Sequence, residues 1–337
     1  MSAVGIIANP ASGKDIRRLV ALGSVFGNQE KVNIVRRLLV GLDCASVDRI
    51  YIMPDVFGIG WQAIDGLGHA HKHIAAKTTL LDMQTDNDAT DSTRAATAMC
   101  DLGVTCIVTL GGDGTTRVAA KGAGDIPILP LSTGTNNVVP YMMEGTVAGL
   151  TAGFVANHPE MRDRVAYRSK RLDIYKNGNY LDLALVDVAV VAGTSVGARA
   201  VWDPDLLRQV IVTRGAPETT GMSSLVGFFH PIDPRAPIGL SILLDRASDL
   251  QVTAPLAPGI IVTVGVKEVQ SIAVGDTVSL GRGPCLLALD GEREISLGAA
   301  DEAEVRLTAE GPWIVDVREA MEAAVQGGVF CQRETPA

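Results

Sequence analysis

The chain has 337 residues, 47% hydrophobic and 20% charged, which excludes a disordered chain and provides for about two domains at ~150 residues each. Aromatics reach only 4%, so the cores must be built from Val, Ile, Leu and Ala, and 36 glycines point to many tight turns. With 29 basic against 38 acidic side chains the net charge is −9, which argues against wrapping nucleic acid or coating an anionic membrane.

The N-terminus, MSAVGIIANPASGKD, has no basic region followed by an apolar one, so no signal peptide is expected. No apolar run approaches the ~18 residues of a membrane span. The longest, residues 183–193, carries Asp187 in its middle. Five scattered cysteines without a CxxC pair read as reduced, mostly buried thiols of a cytoplasmic protein.

Residues 4–8 read as a strand, and Ser12 with Asp15 resembles a capping box opening a helix. Val32, Val35, Leu38, Leu39 and Leu42 have the period of an amphipathic helix over 28–42. Strands are predicted at 48–53 and 78–83, a helix at 91–101, a buried strand at 106–110, a helix at 115–121 and a strand at 126–131. Such alternation with short Gly-rich joints predicts a parallel sheet covered on both faces. After about residue 160 the pattern changes to short strands (RLDIYKNG, LDLALVDVAVV, IGLSILL, GIIVTVGV, DTVSL, PCLLALDG, AEVRLTA) with Asn177-Gly178 and Asp290-Gly291 turns. The predicted fold is α/β: a Rossmann-like parallel-sheet domain over 1–150 and an all-β, sandwich-like domain over 160–310. A helix at 317–325 within the segment 311–337 is expected to pack back on the first domain.

Three loops carry candidate chemistry. GGDGTTR (111–117) stands on a strand-to-helix turn, where glycines let backbone N–H groups approach a phosphate and the helix N-terminus adds partial positive charge. Asp113 there holds Mg²⁺ or takes a proton from an incoming hydroxyl, or else it caps the next helix. ANPASGKD (8–15) fails as a P-loop, because Ala8 replaces the first Gly and Asp15 the Ser/Thr, yet Ser12 and Lys14 suit a phosphate. STGTNNVVP (132–140) offers two adjacent amides for a base or ribose. In an open parallel sheet all three loops lie on one edge and can converge on one crevice. DGERE (290–294) reads as a hairpin turn with a solvated Glu292, HAHKH as an exposed loop, and the six basic residues between Arg162 and Lys176 as a solvated linker and strand face.

In this order NPASG, GGDGT, PLSTGTNN and DGE resemble the superfamily of NAD kinases, diacylglycerol kinases and sphingosine kinases across about 280 residues. GGDGTTR, PLSTGTNN and VGARAVWDP look most like the acetoin catabolism protein X type of ATP–NAD kinase-like proteins. The resemblance implies a site in the cleft between the two domains that takes ATP, Mg²⁺ and, as acceptor, NAD, with NADP the product. It implies Gly111, Gly112, Asp113, Gly114 and Thr115 as the phosphate and catalytic loop, with Asn9, Ser12, Gly13, Lys14, Asn136 and Asn137 on the nucleotide. The base would be Glu292, as in the lipid kinases, or Asp113, as in the NAD kinases. The dinucleotide-binding Asn-acid pair is reduced to Val186-Asp187, leaving Asp187 as its one polar member, and TTGMSSL (219–225) only echoes a later motif of those enzymes.

These departures keep two other readings open: a kinase of another small alcohol or lipid, and a nucleotide-binding accessory or regulatory protein without catalysis. The apolar excess of LDLALVDVAVV and GIIVTVGV predicts a homo-oligomer, dimer or tetramer, through the second domain. Neither nucleic acid nor membrane is expected as a partner.

Overall fold

The structure, a computed structural model, describes residues 1–13, 22, 26–193 and 204–331. Asp15 of the capping box with the helix it would open, Lys14, and all of VGARAVWDP but its last residue therefore fall outside the described residues. The first part of the chain runs β1 (Ala3–Ala8), α1 (Asn28–Cys44), β2 (Arg49–Ile52), α2 (Ile59–Asp65), α3 (Lys72–Ala76), β3 (Thr78–Leu80) and α4 (Thr90–Asp101). It continues through β4 (Cys106–Gly111), α5 (Asp113–Ala123), β5 (Ile128–Ser132), α6 (Gly145–Asn157), α7 (Arg162–Val165) and β6 (Ala166–Arg168). Within the described residues the predicted strands and helices are present, although the strand expected over 78–83 is shorter.

Strand β1 shows why the first sheet is covered twice. Val4, Ile6 and Ala8 enter one core with α1 and α6, while Ala3 and Ile7 enter the other beside Ala95 and Met99 of α4. That is the two-residue period of a strand buried on both faces. On α1 all five apolar positions of the sequence stripe are buried.

Helix α6 was not expected from its sequence, GTVAGLTAGFVAN, which carries three glycines against helix propensity. The reason is close packing on α1. A Cβ at Gly149 would lie 2.3 Å from the Leu38 carbonyl oxygen, one at Gly145 2.8 Å from that of Ile34, and one at Gly41 2.3 Å from that of Thr146. Only glycine lets the two backbones approach this closely.

The second part runs β7 (Arg171–Lys176), β8 (Asn179–Ala184), β9 (Asp187–Ala192), β10 (Leu207–Val212), α8 (Met222–Phe229), β11 (Ile238–Leu244) and β12 (Gln251–Ala257). Then follow β13 (Ile260–Ala273), β14 (Thr277–Arg282), β15 (Cys285–Leu289), β16 (Glu292–Leu297), β17 (Glu302–Thr308), β18 (Trp313–Val315) and α9 (Val317–Gln326). Two antiparallel sheets result, of order β12-β13-β11-β10-β9-β15-β16 and β14-β17-β7-β8. They share a core that includes Leu172, Ile174, Val188, Val190, Leu287 and Leu307. The other face of the larger sheet is covered in part by Met222, Leu225 and Val226 of α8. The fold is thus α/β with an N-terminal parallel sheet and C-terminal antiparallel sheets.

LDLALVDVAVV is two strands, β8 and β9, not one. Every β9 residue except Ala192 is buried within this one chain, while Leu181 at the start of the run is 45% exposed. The first sheet has the order β3-β2-β1-β4-β5-β18-β6, so a strand from the far end of the chain is inserted between β5 and β6. It pairs parallel with β5 and antiparallel with β6. Helix α9 then places Ala320, Ala323 and Ala324 in the core that holds α1 and α6. All five cysteines are free thiols, and three of them (Cys44, Cys100, Cys331) are exposed, contrary to the expected burial. Among the described residues no helix is long and apolar enough to cross a membrane.

Candidate active site

In the first sheet the strand order reverses between β1 and β4, and the loops after β1, β4 and β5 meet at that edge. Asn9, directly after β1, donates its backbone N–H to the Leu110 carbonyl (3.1 Å) and its Nδ2 to Thr115 Oγ1 (2.9 Å). Its Oδ1 accepts from the Ala11 N–H at 2.9 Å. Ser12 Oγ donates to the Asn9 carbonyl (2.8 Å) and lies 3.0 Å from Thr133 Oγ1 of the third loop. Gly13 turns the chain at φ 71°, where a side chain would be strained. Behind this loop Lys31 is fully buried, and its ammonium donates to the carbonyls of Asn9 and Ser12, both at 2.8 Å.

The second loop is built around the absence of side chains. A Cβ at Gly111 would lie 2.3 Å from Thr115 Oγ1, and one at Gly112 would lie 2.6 Å from Asn137 Oδ1. Asp113 is the first residue of α5 and does not cap it, since the N-cap is Gly112 without a side-chain bond. The carboxylate instead reaches the third loop, accepting the N–H groups of Val138 (2.9 Å) and Val139 (2.8 Å). Burial, with the charge of Asp290 added, pushes Asp113 up to about 7, against the pull of the two amides and Arg214. Both of its oxygens accept backbone amides, so the carboxylate ties the third loop to the GGDGT turn.

The third loop is tied down by its own asparagines. Asn137 Nδ2 donates to Ser132 Oγ at 2.7 Å. Asn136 Oδ1 accepts from the hydroxyl of Thr220. The TTGMSSL segment therefore does reach the site, with Gly221 at φ 97° leading into α8.

The Asp290-Gly291 turn joins β15 to β16 with φ values of 49° and 80°, the left-handed pair of a tight hairpin. Asp290 is buried and accepts the N–H groups of Leu185 (3.0 Å), Val186 (2.8 Å) and Asp187 (3.3 Å). Glu292 is half-buried rather than solvated, and its carboxyl carbon lies 3.9 Å from where a Cβ of Gly114 would stand. The DGE turn thus faces the GGDGT turn. Asp187 is buried at the start of β9, its N–H on Asp290 and its carbonyl accepting the Asp290 N–H (3.0 Å). It belongs with the DGE turn and not with the three loops.

Two other readings need correction. HAHKH is helical (a short turn at His69–His71, then α3), with His73 Nε2 2.8 Å from Asp43. In the basic segment Lys170 is buried, not solvated, and donates to the carbonyls of Ala236 and Ile238, both at 2.5 Å. Burial, helped by the Arg214 charge, pushes it down to about 8. Among the described residues no group of three or more His, Cys, Asp or Glu side chains could hold a metal.

Sequence reasoning missed Lys31, Arg117, Arg214 and Thr220, and read Asp290 only as a turn residue. Lys31 had a signal, because it stands four residues before Val35, on the apolar stripe of α1, where a charge requires a buried partner. Arg117 stands four residues after Asp113, on the same face of α5.

Residues 4–159 match the ATP-NAD kinase N-terminal domain, and residues 170–310 match the acetoin catabolism protein X C-terminal domain. The chain is 38% identical over 329 residues to acetoin catabolism protein X of Cupriavidus necator, covering 95% of this chain and 92% of that protein. Among solved structures it is similar to two of a candidate diacylglycerol kinase from Bacillus anthracis str. Sterne. Their TM-scores are 0.47 and 0.46 at 10% and 12% identity, with 93% of this chain covered and 96% and 97% of those chains.

Proposed function

The chain belongs to the acetoin catabolism protein X family, and from that premise we propose that it transfers the γ-phosphoryl group of ATP to a hydroxyl, the 2′-hydroxyl of NAD first. The observation that carries this reading is the facing of Glu292 and Gly114, where the DGE turn comes up to the edge at which the three loops meet. Phosphoryl transfer asks a protein mainly for positioning and charge stabilisation, and this edge offers both. In this reading Asn9, Ser12 and Gly13 shape the first phosphate loop, and Lys31 behind it lends positive charge. Backbone N–H groups at the start of α5 meet the phosphates, since that end carries the positive pole of the helix.

Glu292 is the base in this proposal: half-buried beside the turn, it takes the proton from the acceptor hydroxyl. Asp113, bound to Val138 and Val139, instead locks the third loop onto the catalytic turn. Mg²⁺ would enter as the companion of the nucleotide phosphates, with Asp113 of the GGDGT turn as the protein carboxylate, because such sites need only one or two. When bound it would neutralise charge on the transferring group.

A second acceptor reading rests on Val186 and Asp187. Val186 is apolar and buried, and Asp187 is 4% exposed, so the pair presents little polar surface to a dinucleotide. A small alcohol such as acetoin is the acceptor class this favours. The test is ADP release from ATP and Mg²⁺ with NAD, acetoin, glycerol and diacylglycerol in turn. Release with NAD supports the first reading, and release with a small alcohol alone supports the second. Tight ATP binding without release for any acceptor would replace both with a non-catalytic accessory protein.

A further inference from the structure

Arg117 has no part in the chemistry above, yet it is among the largest fully buried side chains, with 2% exposure. It projects from α5, one helical turn after Asp113. Its Nε lies 3.3 Å from Asp290 Oδ2, and its Nη1 lies 3.3 Å from Asp182 Oδ2. Asp182 also takes Lys121 Nζ at 2.6 Å, from the same helix. Asp290 gathers the amides of Leu185, Val186 and Asp187, and two residues later the chain presents Glu292 to Gly114. Gly114 is itself in the first turn of α5. A closed circuit therefore runs from Arg117 through Asp290 and Glu292 back to the helix that carries Arg117.

Stability is a poor reason for such a pair. A buried ion pair is commonly no more stabilising than apolar side chains of the same volume, because both charges must leave water. What it does confer is a fixed partner, since parting two buried charges would leave each of them uncompensated.

Resting on the phosphoryl-transfer reading, we propose that Arg117 is a positioning residue that holds the Asp290 turn against α5, and so sets Glu292 over the GGDGT turn. The nucleotide loops after β1 and β5 have their own anchors in Lys31 and Asp113, so the Arg117–Asp290 pair acts on the transfer step and not on ATP affinity.

Arg117→Met alone leaves Asp290 buried without this cation and risks misfolding. The deciding variant is therefore Arg117→Met with Asp290→Asn, which removes both charges and keeps an oxygen for the Leu185 and Val186 amides. Calorimetry with Mg-ATP is expected to give a Kd within about threefold of wild type, while kcat for ADP release falls by about 10-fold to 100-fold. Arg117→Lys keeps the charge without the planar fork and is expected to fall between. Amide hydrogen exchange in the double variant should quicken at 290–292 and stay unchanged at 138–139. A double variant with wild-type kcat, or one that loses ATP affinity as much as kcat, would overturn the proposal by making the pair a structural one only. Wild-type protein that releases no ADP with any acceptor defeats the transfer reading and this role with it. The exchange data then report separately whether the pair holds the turn.

Discussion

Asp290 raises the pKa of Asp113 from the facing turn, one carboxylate at the start of α5 and the other in the hairpin turn after β15, both buried. With desolvation as the larger cause, Asp113 rises from 3.8 to about 7. A folded-state pKa above the unfolded one means that the folded state holds the proton more tightly. That stabilisation is fully present below pH 3.8 and is lost as pH rises through about 7. Asp113→Asn removes the titration. The stability difference between wild type and variant, from urea unfolding at several pH values, should shift against wild type by at most about 1.4 kcal/mol per pH unit across this window. A difference that is flat with pH would contradict the assignment.

Glu292→Gln and Asp113→Asn should fail in different ways. The first removes the base and leaves the loops intact, so kcat should fall by about 10²-fold or more with Mg-ATP affinity unchanged. The second places an amide opposite the N–H groups of Val138 and Val139, loosening the third loop, and should weaken ATP binding and kcat together. If Asp113→Asn loses kcat alone while Glu292→Gln keeps it, the base is Asp113.

Lys31→Met fits the space but removes an ammonium held by two carbonyls at 2.8 Å. Hydrogen bonds from a charged group contribute about 1.5–3 kcal/mol each way they are lost, and here the loss falls on the first phosphate loop. Calorimetry should show ATP affinity reduced by about tenfold or more. Unchanged affinity would separate this loop from the nucleotide.

Gly149→Ala tests the α1–α6 contact. Alanine is favoured over glycine in a helix by about 1 kcal/mol, but its Cβ would meet the Leu38 carbonyl at 2.3 Å. Overpacking of this kind costs about 1–3 kcal/mol, so net destabilisation is expected in urea unfolding. A stabilised variant would mean that the helices separate at little cost.

For the oligomer expected from the sequence we propose the β12 end of the larger sheet, where Ile261 of β13, beside the edge strand, is 72% exposed. Light scattering should give a mass above 35.3 kDa for wild type, and Ile261→Lys should return it to the monomer. A monomeric wild type would remove the proposal.

Local rules made much of this protein legible in its sequence. The stripe from Val32 to Leu42 dictates a helix, and the apolar run at 106–110 dictates a buried strand. The positive-φ pairs Asn177-Gly178 and Asp290-Gly291 dictate hairpins, because each depends on neighbours within a few residues. The three loops could be placed on one sheet edge for the same reason, since parallel strands all end there. Other features depend on partners far along the chain. Helix α6 forms against its glycine content because α1 needs a close neighbour. Strand β18 enters the first sheet nearly two hundred residues after β5 leaves it. The run LDLALVDVAVV breaks between β8 and β9 where the amides of 185–187 turn to the Asp290 carboxylate, more than one hundred residues away. Arg117, read as part of a loop motif, meets that same carboxylate. A buried charge chooses its partner by the space the fold leaves it, and no periodicity in the sequence records that choice.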